Sequence, residues 1–230
     1  MLNIEKTDIY GWEAAIRGAR NSFNSWDKSD SEFLTADGDH HDIMGNSGPW
    51  HGGDGWDEMI IGPNDVSLMK KLAKAGPSHA KYRRFITVTM DVTGPLYWWK
   101  EMDTYKVGTV GNSCSTMHTI ADKEFELEDF SWEHLFSDSV DTLEKTIELL
   151  NMYRNHYNNS VKRESKTLFW WQMIQLLPSS YNQKRTLLVN YEVLANIYQQ
   201  RKGHKLDEWK TFCEWIEGLP MSEIITGEEK

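Results

Sequence analysis

One stretch of the chain alternates as a half-buried strand does: Phe85-Ile-Thr-Val-Thr-Met-Asp-Val92, stopped by Gly94-Pro95. The other periodic segments are helical. Trp12, Ala15 and Ile16 share a helical face, and Ala19-Arg20-Asn21-Ser22-Phe23 closes that segment, so residues 1–25 are expected to be a helix entering a turn. Gly62-Pro63-Asn64-Asp65 reads as a helix start, with Asn64 as cap and Met69, Leu72 and Ala73 facing inward. Leu96 to Tyr105 reads as a short helix after Pro95. Val140, Leu143, Ile147, Leu150 and Tyr157 mark a longer helix. Leu187, Tyr191, Leu194 and Tyr198 mark another, ended by Gly203. Leu206, Trp209, Cys213 and Ile216 mark a third, stopped at Gly218-Leu219-Pro220. With no repeat and no linker, the pattern predicts one α+β domain spanning 1–230.

Two stretches carry no period. Residues from about 24 to 62 are rich in Gly, Asp and His and are expected to form a long irregular loop; 106–122, with Gly108 and Gly111, reads as a shorter one. The chain of 230 residues carries 35 acidic and 25 basic side chains, a net charge of −10. That balance argues against a dedicated nucleic-acid binder, whose affinity comes mainly from Lys and Arg. With 11 Trp, 9 Tyr and 8 Phe there is ample area for a core. No apolar run is long enough to span a membrane, and the N-terminus lacks the order of a signal peptide, so a cytoplasmic protein is expected. Cys114 and Cys213 are too few for a disulfide framework or a cysteine zinc site.

Three constellations bear on chemistry. Asp37-Gly38-Asp39-His40-His41-Asp42, with His51, Asp54 and Asp57, holds metal-ligand types without a fixed helical spacing; an acidic solvated loop is the plainer reading, and no metal is expected. In Tyr105-Lys106-Val-Gly-Thr-Val-Gly-Asn112-Ser-Cys-Ser115-Thr-Met-His118, glycines and hydroxyls surround one cation, a composition suited to an anion, although taken alone an ordinary turn is the plainer reading. Trp98-Trp99 and Trp170-Trp171 place rings on two helices, and adjacent rings must face different ways, so one of each pair is free for an interface.

Together these segments resemble the flavin-dependent thymidylate synthase family. Ala19-Arg20-Asn21-Ser22-Phe23 is similar to its A-R-x-S-F segment, and Gly76-Pro77-Ser78-His79 to its G-H segment. Leu176-Leu177-Pro178, then Asn190, Asn196 and Arg201, then His204 and Glu208, match the spacings of the family's C-terminal pattern. The resemblance implies a small antiparallel sheet with several helices. It also implies one-carbon transfer from methylenetetrahydrofolate to a uracil nucleotide, with hydride from FAD reduced by NADPH. Arg201 is then the catalytic residue that polarises the pyrimidine; Lys106, Asn112, Ser115 and Arg201 bind the nucleotide; and Ser22, His79, Asn190 and Asn196 hold FAD. A homotetramer with ligands between subunits is implied too.

The departures are as informative. Tyr105, Lys106 and Val107 stand where the family has Arg-His-Arg. Met117 and Ile174 stand where two arginines hold the nucleotide phosphate, and Glu192 replaces the central arginine of the helix pattern. Each lost charge-assisted bond is worth roughly 1.5–3 kcal/mol, together on the order of 10²-fold in affinity. Besides the family enzyme, the sequence therefore admits an inactive nucleotide-binding or regulatory protein on the same scaffold. It also admits an enzyme of changed substrate, served by Lys81, Arg83, Arg84 or Lys106 and by Glu192.

Overall fold

The computed structural model describes residues 2–35, 40–42 and 56–228, the side chains of 33–35, 40–42 and 56–59 excepted. In chain order the elements are β1 (Asn3–Tyr10), α1 (Trp12–Asn21), β2 (Glu32–Thr35), β3 (His40–Asp42), β4 (Trp56–Ile60), α2 (Pro63–Lys74), β5 (Thr87–Pro95) and α3 (Leu96–Met102). There follow β6 (Val110–Ser113), α4 (Thr116–Thr119), α5 (Ser137–Asn159), α6 (Arg163–Leu176), β7 (Asn182–Asn190), α7 (Tyr191–Arg201), α8 (Asp207–Gly218) and α9 (Glu223–Thr226). The class is α+β, as expected. No helix among the described residues is long and apolar enough to cross a membrane.

The chain forms two compact units. The first comprises residues 1–7, 90–106 and 110–187; the second comprises 8–89, 107–109 and 188–230. Strands run in the order β1-β5-β7-β6 as a small antiparallel sheet, of which residues 3–7, 90–95, 110–113 and 182–187 belong to the first unit. Leu143, Ile147 and Leu150 recur at helical spacing along α5 and meet Met173 of α6, Phe125 and Phe130 in one apolar cluster. Trp98 and Trp99 of α3 are both buried, so neither ring of that pair is left for an interface; in the other pair Trp171 is 46% exposed.

In the second unit α1, α2, α7, α8 and α9 close around Ile16, Met69, Tyr191, Leu194, Trp209, Phe212 and Ile216. A buried ionic knot ties it. Arg20 Nε donates to Asp65 Oδ1 at 2.7 Å, while Ser29 and Ser31 hydroxyls donate to Oδ2 at 2.7 Å each. Burial alone would raise the Asp65 pKa, but the bonds from Ser31, Ser29 and Arg20 outweigh it and hold the carboxyl below its usual range. The start of α2 differs from expectation. Gly62 is its cap residue with Pro63 next, and the free amides of Asn64 and Asp65 are taken by the Asp30 carboxylate at 3.0 and 3.2 Å. Asn64 is thus inside the helix, and a distant aspartate does the capping. Only glycine fits at 62, since a Cβ there would lie 2.2 Å from the Asp30 carbonyl oxygen.

Four segments expected as helix or loop carry strands. The helix expected over 1–25 is preceded by β1, an edge strand whose charged Glu5, Lys6 and Asp8 break the apolar alternation. Leu187, expected on a helix, lies in β7, and that helix begins at Tyr191. The stretch of about 24–62, expected to be irregular, contains a 3-10 turn at Trp26–Lys28 and a three-stranded antiparallel sheet of order β3-β2-β4, Phe33 lying opposite His41 and Met59. The expected loop at 106–122 contains β6 and α4. Asp37, Gly38, Asp39, His51 and Asp54, with the side chains of His40, His41, Asp42 and Asp57, lie outside the described residues. No group of three or more His, Cys, Asp or Glu able to hold a metal occurs among those described.

Candidate functional site

A cavity of about 400 Å³ lies within the first unit, a size suited to a small ligand. One wall is the turn from β6 into α4, which supplies Ser113, Cys114, Ser115, Thr116 and Met117. Leu96, Ile174 and Leu177 form an apolar wall, and β7 closes the remaining side with Gln183 and Arg185.

The strand period explains why β7 supplies these two. Successive side chains face opposite ways, so Gln183 and Arg185 share one face while Lys184 and Thr186 share the other. On that other face Lys184 reaches Glu5 at 3.0 Å and Asp91 at 3.4 Å, and the Thr186 hydroxyl donates to Asp91 at 2.7 Å. The Thr186 bond, then Lys184, holds the Asp91 carboxyl below its usual range; the Glu5 and Asp91 partners raise Lys184.

On the cavity face the side chains form a chain of donors. Arg185 Nε donates to Gln183 Oε1 at 2.9 Å, and Gln183 Nε2 donates to the Cys114 carbonyl at 3.0 Å and to Thr116 Oγ1 at 2.9 Å. Arg185 Nη1 donates to Asp103 at 2.7 Å, and its guanidinium lies 4.2 Å from the centre of the Trp99 ring. Trp99 itself is fixed by Nε1 donating to the Gln183 carbonyl at 2.9 Å, and the turn is held from α6 by Trp170 Nε1 donating to the Met117 carbonyl at 3.0 Å. Stacking, two directional bonds and a fixed ring leave Arg185 little rotamer freedom.

Of the sequence-predicted residues, Ser115 lines this cavity, whereas Lys106 and Asn112 are exposed and do not. Met117 and Ile174, the two positions at which the resemblance sets arginines, both line it. Sequence reasoning missed Gln183 and Arg185. The run Gln183-Lys184-Arg185-Thr186 is polar at every position and lacks the apolar alternation by which strands are read, so no local signal pointed to it.

The remaining predicted residues lie in the second unit. Ser22 follows α1 directly and is exposed, as is His79 in the turn after α2. Asn190 caps α7, its Oδ1 accepting from the Val193 amide at 3.0 Å, and Gly108 packs over it: a Cβ there would meet Asn190 Nδ2 at 3.0 Å. Gly108 has φ +79°, a conformation glycine adopts without strain. Asn196 is exposed and accepts from Gln200 at 2.8 Å. The Arg201 guanidinium stacks 4.7 Å over Trp209. Glu192 stands 3.6 Å from buried Arg83, so Arg83 is engaged inside its unit as counter-ion to Glu192. A larger concavity of about 730 Å³ runs along α2, lined by Lys70, Lys71 and Lys74, but it contains none of the predicted residues. Lys70 there is paired with Glu223 at 3.2 Å and Lys71 lies over the Phe23 ring.

Comparison with solved structures supplies the wider frame. The chain superposes on the flavin-dependent thymidylate synthase ThyX of Helicobacter pylori, complexed with FAD and dUMP, with a TM-score of 0.62 at 14% identity, covering 99% of this chain and 100% of that one. The fold is that of the flavin-dependent thymidylate synthases. A UMP/dUMP methylase, PolB of Streptomyces cacaoi, bound with 5-Br dUMP, matches with a TM-score of 0.58 at 13% identity over 99% of this chain and 95% of that one. No protein-family model and no curated protein sequence matches the chain. The likeness is one of fold, at 13–14% sequence identity.

Proposed function

We propose that this protein binds a uracil nucleotide and, with FAD, transfers a one-carbon unit to it or to a closely related pyrimidine. The observation that carries this reading is the cavity beside the β6–α4 turn, at the same chain positions, 115, 117 and 174, that the family resemblance assigns to the nucleotide. A likeness covering nearly the whole chain supports it, since both compared proteins are described with uracil nucleotides.

Ser115 orients the nucleotide from the cavity wall; Lys106 and Asn112, outside the lining, are the further residues that the family resemblance assigns to it. In the second unit the groups assigned to FAD suit it chemically. Ser22 and His79 are exposed, and Asn196 presents an amide N–H₂ beside the bond its oxygen accepts. Asn190 keeps its Nδ2 hydrogens, since its oxygen alone is spent on the cap. When bound, the flavin supplies hydride; the protein supplies position and charge. Arg201, levelled by its stacking on Trp209, polarises the pyrimidine. NADPH and methylenetetrahydrofolate are the co-substrates, and the assembly is a cytoplasmic homotetramer.

A visible absorbance spectrum of the fresh protein, then a titration with FAD, tests the cofactor part. Uptake of FAD followed by NADPH oxidation stimulated by dUMP or UMP is the expected result. A second reading, a catalytically silent nucleotide binder, is favoured by the apolar Met117 and Ile174 in the cavity wall. Nucleotide binding without FAD uptake would establish it.

A further inference from the structure

We propose that Arg185 is the phosphate anchor of the cavity in the first unit, a cation delivered from β7 to a pocket in which positions 117 and 174 have become apolar. The inference rests on the nucleotide reading above and names the group that makes it possible. Among the lining residues Arg185 is the one cation. A guanidinium carries five N–H donors; the bonds to Gln183 and Asp103 use two, and three are not spent in them. Thr116 Oγ1 accepts from Gln183 Nε2, so its own proton is directed elsewhere, and Ser113 and Ser115 add hydroxyls to the same wall. Leu96, Met117, Ile174 and Leu177 supply the apolar part of the lining. A cavity lined by one cation, several hydroxyls and a set of apolar side chains fits a phosphate monoester of a flat, weakly polar group such as a pyrimidine nucleoside.

Two features mark Arg185 as built for an anion rather than for stability alone. It is held by stacking and by its Nε edge, which orients the planar fork before any ligand arrives. Its carboxylate partner, Asp103, is 56% exposed, so that pairing is screened by solvent and yields to a dianion that fits better. A single arginine in place of two predicts a weaker nucleotide site, sensitive to salt.

The test is calorimetric titration of the full-length protein with dUMP and with deoxyuridine, which lacks the phosphate. The wild-type protein is expected to prefer dUMP by about tenfold or more. Arg185→Gln is expected to abolish that preference while leaving deoxyuridine binding in place; thermal unfolding of the variant serves as the folding control. Asp103→Asn, which frees Arg185 from its competitor, is expected to tighten dUMP binding several-fold at low salt with no change for deoxyuridine, a gain that misfolding does not produce. If Arg185→Gln keeps the preference, or the wild type binds dUMP and deoxyuridine equally, the anchor is overturned and the nucleotide reading survives. If the wild type binds neither, the nucleotide reading falls and the anchor with it.

Discussion

Asp65 shows how much one residue carries. Its carboxylate accepts from Arg20, Ser29, Ser31 and the Asp30 amide, joining α1, the segment before β2 and α2. Asp65→Asn leaves the Arg20 charge buried without its counter-ion and is expected to cost about 3 kcal/mol, read as a lower denaturant midpoint. The same carboxyl gives a pH dependence. Its folded pKa lies below the ordinary 3.8, so its stabilisation is full above that value and is lost as pH falls through the folded one. Wild type should therefore lose stability below about pH 4 more steeply than Asp65→Asn, as acid titration of the two will show. Arg20 was visible in sequence only as a motif letter; its partner 45 positions away was not.

At the scale of elements, α7 begins where β7 ends, and Asn190 serves both. Its side chain caps the helix while the Tyr191 amide donates to the Ile86 carbonyl at 3.0 Å. Asn190→Ala is expected to cost about 1 kcal/mol in thermal unfolding, and Asn190→Ser, which keeps a capping oxygen, only a few tenths. Because serine removes the Nδ2 donors, the same Asn190→Ser protein should take up FAD less tightly than wild type at nearly unchanged stability. Equal uptake would leave Asn190 as a cap only. The strands tell the opposite story. β1 and β7 are polar along most of their length, and they are strands because the sheet supplies cross-strand partners, such as Glu5, Lys184 and Asp91, that no local window contains.

Across the whole molecule the two thiols report on different environments. Cys213 is buried in α8, and burial, aided by Glu217 and Glu214, pushes its pKa up to about 11; Cys114 is exposed on the cavity turn. At pH 8 a thiol reagent is expected to titrate one cysteine in the native protein and two after denaturation, and dUMP should slow the native reaction because Cys114 lines its cavity. Two fast thiols in the native state would contradict the packing of α8.

The helices α2, α3, α5 and α8 were legible because they carry their own apolar residues at helical spacing and local boundary signals, Pro63 and Pro95 at starts and Gly218 at an end among them, so local periodicity suffices. The α+β class and most of the motif positions follow from that layer. Only the tertiary structure decided β1, the small sheet of β2–β4, the capping of α2 by Asp30 and the placing of Arg185 against Trp99 and Asp103. Those features are stabilised by pairings between residues far apart in the chain, and neither propensity nor spacing at either partner encodes the other.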